Sequence, residues 1–191
     1  NLMYYSVLAK SSQVYIDIFE NFRKQTYRNR CVISSPNGPL KLIIPTIRIS
    51  KNIVKDVKID NHHNWRKIHW KSLESSYRSS PYFEFYEDEF MPLYFEKKIE
   101  YLLDFNQQLN LVLLRCLNLD TEIIFSDSYI EKEGKINDFR DIIHPSSVPT
   151  EKVKKIKYSQ VFQESQDFIY NLSVYDLLFN QGPMARQFLD L

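Results

Sequence analysis

Glycine is scarce: Gly38, Gly134 and Gly182 are the only three in 191 residues, and no two stand close together. A P-loop or a dinucleotide fingerprint needs several glycines in one short loop, where the backbone bends sharply and approaches phosphate. Both are excluded. A serine-hydrolase elbow of the form Gly-x-Ser-x-Gly is missing as well. Cysteine is rarer still. Cys31 and Cys116 each lie in an apolar run, Cys31-Val32-Ile33 and Leu113-Leu114-Arg115-Cys116-Leu117, which suits small buried thiols in a reducing compartment better than a disulfide framework. No run approaches the roughly 18 apolar residues that span a bilayer. Asn1 to Lys10 lacks a basic region followed by a long apolar core, so a cytoplasmic protein with no membrane partner is expected. Charge of one sign is also lacking: 25 lysines and arginines balance 24 aspartates and glutamates. No overall field therefore drives binding to nucleic acid or an acidic membrane surface.

Apolar residues are plentiful. They make up 43% of the chain, with 15% aromatic, enough for a substantial core in one domain spanning residues 1–191. The periodicities predict an α/β protein, a mixed sheet with a β-hairpin flanked by helices, with α+β as the alternative. A short helix over Leu2 to Ala9 leads into an alternating strand over Gln13 to Phe19, with Val14, Ile16 and Ile18 on one face and Tyr15 and Asp17 on the other. Cys31 to Ser34 and Leu40 to Thr46 are β-rich and joined by Ser-Pro-Asn-Gly-Pro. Its Asn37-Gly38 pair accommodates positive φ in a hairpin. Ile53 to Asp60 alternates again and predicts another strand.

From Asn64 the period is helical, with Trp65, Ile68, His69, Ser72 and Ser76 on one face and Ser80-Pro81 as the stop. Tyr82 to Met91 and Tyr94 to Leu103 predict helix interrupted at Pro92. Phe105 to Leu117 carries the clearest stripe, behind Asp104 as N-cap. Thr121 to Ser126 predicts a short buried strand, and the polar stretch from Asp127 to Thr150 a mobile region. Near the end, Ser173 caps a helix with Asp176 reaching back to it, Leu172 and Leu177 form a hydrophobic staple, Gly182 closes the helix, and Pro183 opens the next.

Among polar clusters, Lys24-Gln25-Thr26-Tyr27-Arg28-Asn29-Arg30 is the densest. Arginine forks pair bidentately with carboxylate or phosphate, and an amide with an aromatic ring adds orientation and stacking; the same run also reads as a solvated basic loop. His69 follows Trp65 and Arg66 by one turn, which makes it the candidate general acid or base, against the plainer reading of a hydrogen-bonded packing residue. Tyr158, Gln160, Asn171 and Arg140 are polar residues interleaved with apolar ones, suited to line a pocket or to satisfy buried backbone. His62, His63 and His69 with Asp60 bring metal-ligand chemistry together. Adjacent histidines in a turn point apart, however, and the i, i+4 pair of zinc hydrolases is missing. No metal and no cofactor are expected.

The run from Lys24 to Cys31, then Leu42 to Pro45, Asn64-Trp65-Arg66 with His69-Trp70, Ser80-Pro81-Tyr82-Phe83, Tyr158 to Phe162 and Asn171 to Pro183 resemble, in order, the WbqC-like family. The block Asn-Leu-Ser-x-x-Asp-Leu-Leu-Phe-Asn-x-Gly-Pro is the most specific part. The resemblance implies a bacterial protein connected with surface polysaccharide. It also places the start of this sequence inside the family's opening segment, so that a Gln-Pro, aromatic and Pro motif before Tyr4-Tyr5 is absent. A glycine-containing segment of longer members before Tyr158 is missing too. The functional expectation is a transferase-like enzyme that holds an anionic small molecule, such as a nucleotide-linked sugar. Gln25, Arg28, Asn29, Arg30, Trp65, Arg66, Arg140, Tyr158, Gln160 and Asn171 would bind it, with His69 catalytic and Ser173, Asp176 and Gly182 structural. The alternative is a non-catalytic protein that binds a partner or nucleic acid through the basic stretch Lys152 to Lys157.

Overall fold

Helices α1 (Leu2–Ala9), α2 (Trp65–Tyr77), α3 (Phe83–Phe95), α4 (Leu102–Cys116), α5 (Val174–Gln181) and α6 (Ala185–Leu189) surround two small sheets. The computed structural model describes residues 1–47, 53–96, 98–131, 137–147 and 156–189. Strands β1 (Gln13–Ile16) and β4 (Glu122–Phe125) pair in parallel, Gln13 with Glu122 through Ile16 with Phe125. Strands β2 (Arg30–Ile33) and β3 (Leu40–Ile43) pair antiparallel, Arg30 with Ile43 through Ile33 with Leu40. The mixed class is the one expected; its strands divide between two sheets instead of forming one. The hairpin closes by reciprocal bonds between Ser35 and Gly38 at 3.0 and 3.1 Å, with Gly38 at φ 99°, a conformation that glycine adopts at no steric cost.

Each departure from the expected elements has a local cause. β1 stops at Ile16 because the Asp17 side chain turns inward and accepts the Phe19 N–H at 3.0 Å, a local bond that competes with the strand ladder. Residues 53–60 form a 3-10 turn at Val54–Asp56 and isolated bridges in place of a strand. Val57 and Ile59 nonetheless are buried as the alternation demands. On α2 the buried stripe is Trp65, His69, Trp70, Leu73, Ser76 and Tyr77, and Ile68 is 60% exposed. Pro92 does not interrupt α3: it lies near the helix's C-terminal end, where it forgoes one backbone hydrogen bond, and buried Leu93 and Tyr94 anchor the helix past it. Helix α4 therefore starts only at Leu102, with Asp104 in its first turn instead of at the cap, where a carboxylate still favours the helix dipole.

The core joins these helices through aromatic rings. Trp65 meets Phe105 edge to face at 5.2 Å between centroids, Phe83 meets Phe179 at 5.1 Å, and Phe90 meets Tyr175 at 4.9 Å, the geometry that ring quadrupoles prefer. α2 packs on α3, α3 on α4 and α5, and α1 on α5 and α6. Cys31 and Cys116 are free thiols, half-buried, and burial raises both thiol pKa values.

The end of α5 rests on a close approach. Gly182 takes φ 53°, and a Cβ there would lie 2.5 Å from the Tyr82 ring, whose own N–H donates to the Phe179 carbonyl at 3.0 Å. Gly182→Ala is expected to cost about 2–4 kcal/mol through overpacking and backbone strain, read by urea denaturation. A cost below about 0.5 kcal/mol, that of an ordinary surface change, would contradict the contact.

Candidate functional site

Parallel strands direct their carboxyl ends to one side, and ligands of open α/β sheets bind there. At the carboxyl ends of β1 and β4 a cleft of about 100 Å³ is lined by Glu20, Asn21 and Arg23 from the loop after β1, and by Tyr129 and Arg140 from the chain after β4. Arg140 in turn is paired with Asp17, whose side chain is only 2% exposed. The carboxylate accepts the N–H of Phe19 at 3.0 Å and of Ile130 at 3.1 Å, and the Arg140 Nη1 at 2.6 Å. Ser126, the first residue past β4, donates its hydroxyl to Asp17 at 3.4 Å and accepts the Ile18 N–H at 3.2 Å. Asp17 thus binds together both strand ends and the loop that carries Tyr129.

Arg140 is held from three sides. It donates through Nε and Nη2 to Asp138, through Nη1 to Asp17 and to the Ile130 carbonyl at 2.8 Å, and lies 5.5 Å from the Tyr129 ring centroid. Hydrogen bonding to Asp138 raises its pKa, so the guanidinium is a permanent charge. Across the cleft, Arg23 pairs with Asp141 at 2.5 Å, and Glu20 takes Arg28 Nε and Nη2 on its two oxygens, each at 2.6 Å.

Of the residues expected to bind a ligand, Arg140 lines this cleft and Arg28 buttresses it from behind through Glu20. The others lie elsewhere. Gln25 is exposed at φ 63°. Asn29 is buried, donating to the Ile44 carbonyl at 3.1 Å. Arg30 begins β2, with its Nε buried and without a hydrogen-bond partner among the described residues. Trp65 is a core ring whose Nε1 donates to Asn61 at 3.2 Å. Arg66 lies over that ring and donates to the Ile99 carbonyl at 3.0 Å.

His69 is likewise a core residue, 5.1 Å from Trp65 ring to ring, with Nε2 3.1 Å from the Ile43 carbonyl. Burial lowers its pKa to about 4, which keeps the imidazole neutral with Nε2 as the donor. The ring thus lies against the hairpin backbone and beside Trp65, and not among the residues that line the cleft. His63 Nε2 lies 3.6 Å from Asp60 on the surface, away from the buried His69.

The C-terminal residues form a second polar centre, inside the core. Ser173 caps α5 as expected, accepting the Tyr175 N–H at 3.5 Å. Asp176 does not reach back to it. Its carboxylate accepts the Tyr77 hydroxyl at 2.8 Å and the Tyr158 hydroxyl at 2.7 Å, and Gln160 donates to the Ile169 carbonyl at 2.9 Å. Burial raises the Asp176 pKa to about 6 against the opposing effect of those hydroxyls. Asn171 accepts the Met3 N–H at 3.0 Å and contacts the Tyr27 hydroxyl at 3.4 Å. Tyr158, Gln160 and Asn171 are therefore engaged in satisfying buried polar groups.

Asp17, Glu20, Asn21, Arg23 and Tyr129 were not singled out by sequence. One signal for them existed: Asp17 stands near the end of an alternating run, and carboxyl ends of such strands are where sites collect. The basic stretch is not placed, since Lys152 to Lys155 lie outside the described residues, as does Gly134.

The model of the WbqC-like protein family matches residues 2–150. The chain belongs to that family. The matched span contains the whole β1–β4 cleft, whereas the Asn171 to Pro183 block that carried much of the resemblance lies beyond it. This WbqC-like chain is 23% identical over 212 residues to a protein described as "Uncharacterized protein Rv1507c" from Mycobacterium tuberculosis (strain ATCC 25618 / H37Rv), covering 97% of the chain and 91% of that relative. No solved structure matches it. Among the described residues no helix is long and apolar enough to cross a membrane.

Proposed function

We propose that this WbqC-like protein is a transferase-like enzyme of surface-polysaccharide metabolism that binds an anionic small molecule, such as a nucleotide-linked sugar, at the β1–β4 cleft. One observation carries this reading: two arginines held by carboxylates, a carboxylate, an amide and an exposed phenol line one cleft at the carboxyl ends of two parallel strands, with buried Asp17 fixing Arg140. A preorganised polar cluster at that place in an α/β fold is the usual setting of a ligand site. The family's connection with surface sugars narrows the ligand class.

Differential scanning fluorimetry with a panel of nucleotide sugars tests it. A ligand at a hundred times its Kd stabilises by about 2.7 kcal/mol, roughly 5–10 °C for a chain of this size. Arg23→Gln is expected to remove most of that shift while leaving the unliganded Tm within about 2 °C, because the Arg23–Asp141 pair is exposed and worth little. No shift with any nucleotide sugar, or equal shifts in both proteins, would overturn the reading. Binding of an oligonucleotide that weakens steeply between two salt concentrations, with no shift from the nucleotide sugars, would favour the nucleic-acid alternative.

A further inference from the structure

Every guanidinium around the cleft is already met by carboxylate. Arg23, Arg28 and Arg140 face Asp141, Glu20, Asp17 and Asp138, three cations among four anions. A diphosphate entering there would compete with an intramolecular carboxylate for each arginine, and among the described residues it would meet no net positive charge.

What the lining presents outward is of a different kind. The Tyr129 ring is 52% exposed although Arg140 covers part of it. Asn21 offers an amide that both donates and accepts. Glu20 has acceptor capacity beyond its two bonds to Arg28, and Arg23 has donors beyond its bond to Asp141. A hydroxyl is both donor and acceptor, so a set of mixed, already neutralised groups suits a polyol. The C–H face of a pyranose suits an aromatic platform. At about 100 Å³, against roughly 300–1,000 Å³ for pockets that enclose whole ligands, the cleft admits part of a ring and no nucleotide.

We propose, resting on the reading above, that the cleft grips the sugar ring of the ligand through Tyr129, Asn21, Glu20 and Arg23, and that the phosphate portion lies outside it. The test is a thermal-shift and calorimetric comparison of nucleotide-linked hexoses, the matching free nucleoside diphosphates, and the free hexoses at millimolar concentration, on the full chain and on Tyr129→Ala and Tyr129→Phe. The expected result is that a nucleotide sugar or hexose binds, the matching diphosphate binds roughly tenfold or more weakly than the nucleotide sugar, Tyr129→Ala loses at least about tenfold in affinity, and Tyr129→Phe retains it. Diphosphate and nucleotide sugar binding equally, with Tyr129→Ala unaffected, would overturn the sugar assignment and leave ligand binding standing. Failure of every probe on the full chain would overturn both.

Discussion

Asp17→Ala is expected to destabilise the protein by about 3–5 kcal/mol, the range for removing one partner of a buried ion pair, and to abolish ligand-induced stabilisation at the cleft. The side chain is 2% exposed and Arg140 17%, so the arginine left behind retains Asp138 but loses its inner partner, and the Phe19 and Ile130 N–H groups lose their acceptor. Because the two charges act as a unit, Arg140→Met should cost less in the Asp17→Ala background than in the wild type, with a coupling energy of roughly 1–3 kcal/mol. Urea denaturation of the four proteins measures it. Additive losses would show that Asp17 and Arg140 do not hold the strand ends together.

That same residue marks where sequence ceases to be informative. The alternation through Asp17 was legible and placed it on the face opposite Val14 and Ile16, yet a carboxylate at a strand end has the option of bonding to the backbone two residues on, and only the arrival of Arg140 from 123 positions away makes burial favourable. Local grammar read well where local forces decide: the Asn37-Gly38 hairpin, the Ser173 cap, and the Leu113 and Leu117 face of α4. It failed where distant partners outweigh local preference. Pro92 stays inside α3 because Leu93 and Tyr94 are anchored in the core. Residues 53–60 bridge to Asn21, Thr46 and Tyr101 singly and never acquire a continuous partner strand. For the site, arginine and aromatic residues in the Lys24 to Arg30 run suggested a ligand; the fold employs Arg28 to lock Glu20 and buries Asn29, and Thr26 is buried beside them, donating to the Arg23 carbonyl at 2.9 Å. Residue type indicated the chemistry, while the direction in which each side chain points is a tertiary property.

Asp176 presents the same lesson with a measurable titration. Its carboxylate joins the Tyr77 and Tyr158 hydroxyls, and Tyr77 in turn accepts the Ser34 N–H at 3.1 Å, so α5, α2 and the hairpin meet at one buried anion. Asp176→Ala strands two buried hydroxyls and opens a small void, an expected loss of about 3–5 kcal/mol. The pH dependence separates the charge from the packing. Burial raises the folded pKa to about 6 from 3.8, so the folded state binds the proton more tightly, and the associated stability is complete below about pH 4 and lost as pH rises through 6, a change of roughly 3 kcal/mol. His69 acts with opposite sign: its folded pKa falls to about 4 from 6.5, so its contribution is complete above 6.5 and lost as pH drops through 4. The two offset each other in the wild type, whose stability should vary little over this window from these groups. Asp176→Asn removes the first and leaves the second, so the variant should lose stability relative to the wild type by roughly 2–3 kcal/mol as pH falls from 7 to 4. Urea midpoints at half-unit steps would show it, and parallel profiles for the two proteins would mean that Asp176 carries no shifted proton in the folded state.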